Sequence, residues 1–226
     1  MNLHDTVDVW FLDKEKLSTL SYHWEDVISA EEQQRANRFH FIEDKQAFII
    51  YHACKRLILS SYLKISPQDI KIFLQEKGKP FLKNSSLTFN LSHTKDAAIL
   101  AVTNDTEVGV DLEKIKTSSN YLDIAKRFFH PEEYTQLESV NNEQKQQKLF
   151  LLLWTAKEAI LKATGEGIAA GLNSFCIQSL THDEAELKHT YPSNIALSRL
   201  VVPDNYVASL AVIGAQKSIL YRDKFI

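Results

Sequence analysis

Cysteine is nearly absent: Cys54 and Cys176 are the only two in 226 residues. They lie far apart and show no metal-type spacing. That excludes a disulfide-stapled secreted domain and reads as two reduced thiols in a cytoplasmic protein. Long apolar runs are missing too. Leu149 to Trp154 is among the longest, far short of the ~20 residues a membrane span needs. Met1-Asn2-Leu3-His4-Asp5 is not a basic segment followed by an apolar one, so no secretory signal is read there. There is no excess of positive charge: 26 Lys and Arg stand against 29 Asp and Glu, a net charge of −3. This argues against nucleic acid as the main partner. Glycine is scarce, and no Gly-rich loop joins a strand to a helix start in the manner of a phosphate cradle. Gly165-Glu166-Gly167 falls at a helix end instead. A soluble monomer away from membranes is expected.

What the chain does have is ordinary globular material, 44% apolar, enough for a core without staples. Val7 to Leu12 alternates as a strand. Ser29 with Glu32 three residues on marks a helix start, and helical pattern runs from about Ala30 to Leu63 with a break near Phe39 to Asp44. Strands are read at Ile70–Glu76, Leu87–Leu91, Ala97–Thr103 and Glu107–Glu113. Tyr121 to Phe129 reads as a helix. Pro131 suits the first position of the next one, with Glu132 and Glu133 in its first turn. Lys145 to Thr164 is the strongest helical stretch, closed by Gly165. Strands follow at about Ser174–Leu180, Ile195–Val201 and Tyr206–Val212. Asp96 to Val102 resembles Asn205 to Val212, and both halves run strand, helices, short antiparallel set. The fold class expected is α+β, two similar lobes in a pseudo-two-fold arrangement, residues 1–105 and 106–226.

Four segments carry side chains that can do chemistry. In Gly109-Val110-Asp111-Leu112-Glu113 the two acids share one strand face. Paired carboxylates repel unless a cation lies between them, and magnesium takes carboxylate oxygens; a solvated strand end is the alternative. In Trp154-Thr155-Ala156-Lys157-Glu158-Ala159-Ile160-Leu161-Lys162, Glu158 and Lys162 are one helical turn apart. They suit a metal ligand and a phosphate cation, or merely a surface ion pair. Asn90-Leu91-Ser92-His93, between two strands, offers donors to a phosphate or a local turn bond. Gly78-Lys79-Pro80 is a turn with a lysine.

Taken in order, Gly78-Lys79-Pro80, Asn90-Leu91-Ser92-His93, Gly109-Val110-Asp111-Leu112-Glu113, Phe128-Phe129-His130-Pro131-Glu132-Glu133-Tyr134, Trp154-Thr155-Ala156-Lys157-Glu158-Ala159 and Gly165-Glu166-Gly167 resemble the 4′-phosphopantetheinyl transferases of the Sfp type. The resemblance spans about Ser29 to Leu210. It implies transfer of the 4′-phosphopantetheine arm of coenzyme A to a serine of an apo acyl, polyketide or peptidyl carrier protein, releasing adenosine 3′,5′-bisphosphate. It implies two α+β lobes with coenzyme A between them, and Mg2+ held by Asp111, Glu113 and Glu158. Glu158 would also serve as base and Lys162 would stabilise pyrophosphate charge. Ser92 and His93 would hold the 3′-phosphate, with Lys79 at the adenine end and Arg38 and Lys45 nearby. Glu133 would lie close to the metal or its waters. Two positions depart from the pattern: Ala47 stands where a second arginine is common, and Glu32 where a basic residue sometimes sits. An inactive carrier-binding paralogue and a magnesium phosphohydrolase are the competing readings. The first has no need for three convergent acids, and the second gives no reason for Ser92-His93.

Overall fold

Both halves of the chain fold on one plan. The computed structural model describes residues 3–116, 120–167, 171–178, 186–192 and 194–223. The first half runs β1 (Thr6–Asp13), α1 (Lys14–Ser18), α2 (Ala30–Ala36), α3 (Ile42–Leu63), β2 (Ile72–Leu74), β3 (Pro80–Leu82), β4 (Leu87–His93) and β5 (Ala97–Asn104). The second runs β6 (Val108–Lys114), α4 (Tyr121–Phe128), α5 (Pro131–Glu138), α6 (Glu143–Thr164), β7 (Ile177–Gln178), β8 (Glu186–His189), β9 (Ile195–Arg199), β10 (Tyr206–Ile213) and β11 (Ser218–Arg222). In each half the first strand pairs antiparallel with the last long strand, which pairs antiparallel with the one before it. The order β1-β5-β4 thus matches β6-β10-β9. Each half also holds one helix of 22 residues, α3 and α6. The two segments that resemble each other in sequence are β5 and β10.

Strand periodicity sets the layers. Val7, Val9, Ala97, Ile99 and Ala101 on one sheet meet Val108, Val110, Leu112, Ala208, Leu210 and Val212 on the other. The outer face of the first sheet, including Trp10, Leu12, Leu100 and Val102, takes α3 through Phe48, Tyr51, Ile58 and Leu59. The outer face of the second takes α6, with Val207 and Ala211 against Ala156, Ala159 and Ile160. The result is helix, sheet, sheet, helix. A fully buried Leu, Ile, Val or Phe contributes about 1.5–3 kcal/mol, so the inter-sheet seam holds the halves together strongly.

The chain crosses between sheets after Asn104. A division at residue 105 does not describe β11, however, which returns to the first sheet and pairs parallel with β1, Thr6 opposite Ser218 through Trp10 opposite Arg222. Arg222 Nη2 reaches the fully buried Asp8 Oδ1 at 3.0 Å. The other oxygen of Asp8 accepts from the Tyr62 hydroxyl at 2.5 Å.

Local signals act as their chemistry dictates. Ser29 and Glu32 form a capping box on α2, and Pro131 opens α5. Asn142 caps α6, which Gly165 ends in the left-handed region at φ 72°. The break expected near Phe39 to Asp44 separates α2 from α3. The strand expected at Leu87–Leu91 runs on through Ser92 to His93 as β4. The strand expected at Ser174–Leu180 is seen as β7, with residues 179 and 180 outside those described. Among the described residues, no helix is long and apolar enough to cross a membrane.

One buried ion pair fixes α5 against α6. Lys157 and Glu133 are both fully enclosed, Nζ to Oε2 2.9 Å. Lys157 also donates to the carbonyls of Leu172 (2.7 Å) and Phe175 (2.5 Å), which uses all three hydrogens of an ammonium. Glu133 accepts from the amides of Ile177 (2.7 Å) and His130 (3.0 Å). Removing one partner of such a pair strands the other, at about 3–5 kcal/mol. Lys157→Met is expected to lower stability by that amount in urea denaturation. A loss under about 1 kcal/mol, the worth of an exposed pair, would contradict this.

Candidate active site

The site begins with a missing side chain. A Cβ on Gly109 would lie 2.1 Å from the Ala159 carbonyl oxygen and 2.3 Å from the Ala163 amide nitrogen. Both are helix backbone atoms that cannot swing aside. Glycine lets β6 run directly against α6. Alternation then puts Asp111 and Glu113 on the α6 side, since Val110 and Leu112 fill the seam between the sheets. On α6, Glu158 and Lys162 stand one turn apart and face the strand.

Lys162 Nζ lies 2.6 Å from Asp111 Oδ1 and donates to Ser92 Oγ at 3.1 Å and the Val110 carbonyl at 3.3 Å. Ser92 Oγ donates to Asp111 Oδ1 at 2.8 Å and accepts from the Leu112 amide at 3.3 Å. Asp111 and Glu158 are buried. Yet Asp111 Oδ2 and Glu158 Oε1 are enclosed with no hydrogen-bond partner. Such atoms are costly unless something outside the chain meets them. Burial, then the Asp111 charge, pushes Glu113 up to about 7. The same two causes raise Glu158, with Lys162 opposing. The three acids carry negative charge that the protein compensates only in part. They are not drawn tightly together: among the described residues, the one set of three metal-capable groups within 4.8 Å of one another is His130, Glu132 and Cys176. Asp111 is turned toward Lys162 and Ser92, and the acids repel one another.

Ser92, expected at a phosphate, has a structural task here. β6 is the edge of its sheet, so its outward amides need acceptors. Asn90 Oδ1 takes the Val110 amide at 3.0 Å and Ser92 Oγ takes that of Leu112. Two side chains of β4 thus stand where a neighbouring strand would be. They join the lobes and lock Asp111 in place.

Glu133, expected beside the metal, is instead the buried partner of Lys157. Both its oxygens are engaged as described, and Lys157 is the charge that acts on it most strongly. Lys79, expected at the adenine end, is also buried. Its ammonium donates to the Ala163 carbonyl at 2.6 Å and pairs with Glu107, tying the β2–β3 hairpin to the last turn of α6, where a cation is favourable. His93 is exposed at the end of β4, its ring 5.7 Å from Tyr51. Arg38 is exposed, and Lys45 donates to Asn37 at 2.8 Å. Arg35 lies over the Phe48 ring at 5.3 Å. The charges of Lys162 and Arg35 both act on His93, so the ring lies within electrostatic reach of each. Glu32 holds Lys55 Nζ at 2.7 Å, Arg56 Nε at 2.5 Å and His52 Nδ1 at 3.0 Å. Burial raises its pKa, but these partners outweigh that and hold the carboxyl far below its ordinary range. An acid stands at position 32 because α3 brings two buried cations to it.

The model of the 4′-phosphopantetheinyl transferase superfamily matches residues 107–211, and that of the 4′-phosphopantetheinyl transferase N-terminal region matches 18–105. The chain is 40% identical over 216 residues to 4′-phosphopantetheinyl transferase HetI of Nostoc sp., covering 94% of this chain and 90% of that protein. The chain belongs to the 4′-phosphopantetheinyl transferase superfamily. It is also 31% identical over 168 residues to 4′-phosphopantetheinyl transferase Sfp of Bacillus subtilis, covering 74% and 72%, and 36% identical over 162 residues to psf-1 of Bacillus pumilus, covering 71% and 68%. As a phosphopantetheinyl transferase it is an enzyme. Gly109, Asn90 and Lys157 are the residues of this transferase's site that sequence reasoning left without a role. All three lie inside the segments that carried the resemblance.

Proposed function

We propose that the chain transfers the 4′-phosphopantetheine arm of coenzyme A to a serine hydroxyl of an apo carrier protein, with Mg2+ as cofactor and adenosine 3′,5′-bisphosphate as the other product. One observation carries this reading: buried carboxylates from β6 and α6 each present an oxygen without a protein partner, beside the ammonium of Lys162. Such hard, anionic donors suit magnesium, which binds through one or two carboxylates together with phosphate oxygens. Asp111, Glu113 and Glu158 would hold the ion, which when bound supplies Lewis-acid polarisation and charge neutralisation at the pyrophosphate.

The chain's own groups account for the rest. Lys162 sits at the same carboxylates and can meet charge developing on the departing phosphate oxygen. Ser92 keeps the Lys162 ammonium and Asp111 in register. Burial raises the basicity of Glu158, which suits it to take the proton of the incoming serine hydroxyl. Arg35, Arg38 and Lys45 would supply positive charge, and His93 a hydrogen-bonding ring, for the adenosine 3′-phosphate. Lys79 positions the end of α6 rather than contacting the nucleotide.

The direct test incubates the protein with coenzyme A, Mg2+ and a panel of apo acyl, polyketide and peptidyl carriers, then weighs each carrier. At least one is expected to gain a single phosphopantetheine arm, and chelation of Mg2+ is expected to stop the gain. No mass increase on any carrier of a broad panel would sink the proposal.

A further inference from the structure

Away from the acids, a second constellation lies at the start of α5. His130, Glu132 and Cys176 each offer a ligand atom, and these atoms all fall within 4.8 Å of one another. The donors come from segments 44 residues apart, which is why spacing along the chain gave no sign of them. Cys176 is buried beside Glu132, Sγ to Oε2 3.8 Å. His130 Nδ1 accepts from the Glu132 amide across a long 3.4 Å, a role open only to a nitrogen without a proton. Glu132 is exposed and His130 half-exposed, so the cluster can be reached from solvent. The fold asks little of these side chains: among the described residues, one long cap bond and weak thiol contacts engage them.

We propose that His130, Glu132 and Cys176 form a binding site for a borderline divalent cation of the zinc class, distinct from the carboxylate site. Sulfur and imidazole donors select such ions over magnesium. Three protein ligands leave a fourth tetrahedral position for water. Charge balances, since one thiolate and one carboxylate neutralise the 2+ ion. On binding, the Cys176 S–H bond breaks, its electron pair forms the sulfur–metal bond, and the proton leaves to solvent. No oxidation is involved. An ion here braces the start of α5 against the segment leading into β7. Glu133 and Lys157 make a second link between the same segments through the Ile177 amide and the Phe175 carbonyl.

Cobalt(II) serves as the optical probe, with zinc in competition, on the full chain in excess Mg2+. The wild type is expected to bind one equivalent of cobalt with a thiolate-to-metal charge-transfer band, which one equivalent of zinc erases. Cys176→Ser should lose the band. Glu132→Gln, an exposed change that leaves folding intact, should weaken cobalt binding by more than about tenfold, the loss seen even for groups that only support a ligand. Asp111→Asn should leave the band unchanged. A wild type without the band, a band that survives Cys176→Ser, or unaltered affinity in Glu132→Gln would each overturn the site. So would loss of the band in Asp111→Asn with Cys176→Ser unaffected, which would move binding to the carboxylates.

Discussion

Asp111→Asn and Glu158→Gln are each expected to cut phosphopantetheine transfer by about 10²–10³-fold or more, the cost of losing a group aimed at charge in a transition state. The fold is expected to survive both. Stability gives the more discriminating result. Glu158 is buried, its Oε1 has no partner, and its pKa is raised by burial and by Asp111. An amide of the same shape removes an uncompensated charge. Without divalent ions, Glu158→Gln should therefore melt at the same temperature as the wild type or higher. Magnesium should raise the wild-type melting point, by up to about 2.7 kcal/mol of stability at 100 times its dissociation constant, and should do much less for the variant. A variant that melts well below the wild type in chelator would mean that Glu158 supports the fold. Full transfer activity in either variant would remove that residue from the metal site.

The second large effect belongs to Gly109→Ala. The added methyl would lie 2.1 and 2.3 Å from helix backbone atoms of Ala159 and Ala163, so β6 and α6 must move apart. Overpacking typically costs 1–3 kcal/mol. With no side chain free to yield, a loss near about 3 kcal/mol is expected. At about 2–4 °C per kcal/mol for a chain of this size, the melting point should fall by roughly 6–12 °C. Transfer should fail even well below the new midpoint, because Asp111 and Lys162, 2.6 Å apart, sit on the two elements being separated. Normal turnover in Gly109→Ala at low temperature would show that the close approach does not position the acids.

Features written in one element's own periodicity were legible. Asp111 and Glu113 share a face because strands alternate, and Glu158 and Lys162 share one because helices repeat near four. The match between Asp96–Val102 and Asn205–Val212 anticipated β5 and β10, and with them the doubled plan. What stayed hidden depends on neighbours distant in sequence. Asn90 went without a role and Ser92 read as a phosphate donor or a local turn bond, because only the sheet order reveals that β6 is an edge in need of acceptors. Lys79 looked like an exposed turn lysine until the end of α6 arrived beside it. Glu133 is instructive in the other direction. Pro131-Glu132-Glu133 has the marks of a helix start, and Glu133 does bond the His130 amide in a capping box. The resemblance drew it toward the metal, while Lys157, in the motif next to Glu158, is its actual partner. β11 escaped notice because a short parallel edge strand carries little pattern of its own.

The return of β11 also bears on how the protein is made. β1 leaves the ribosome well before its parallel neighbour, residues 218–222, which follows more than two hundred residues later. Until then one edge of β1 stays open, and Asp8, buried in the finished structure, waits without Arg222. The first lobe is therefore completed only after the second has been synthesised. Its folding is tied to a strand more than two hundred residues away, and the interval between the two is when an unpaired β1 is most exposed to the wrong partner.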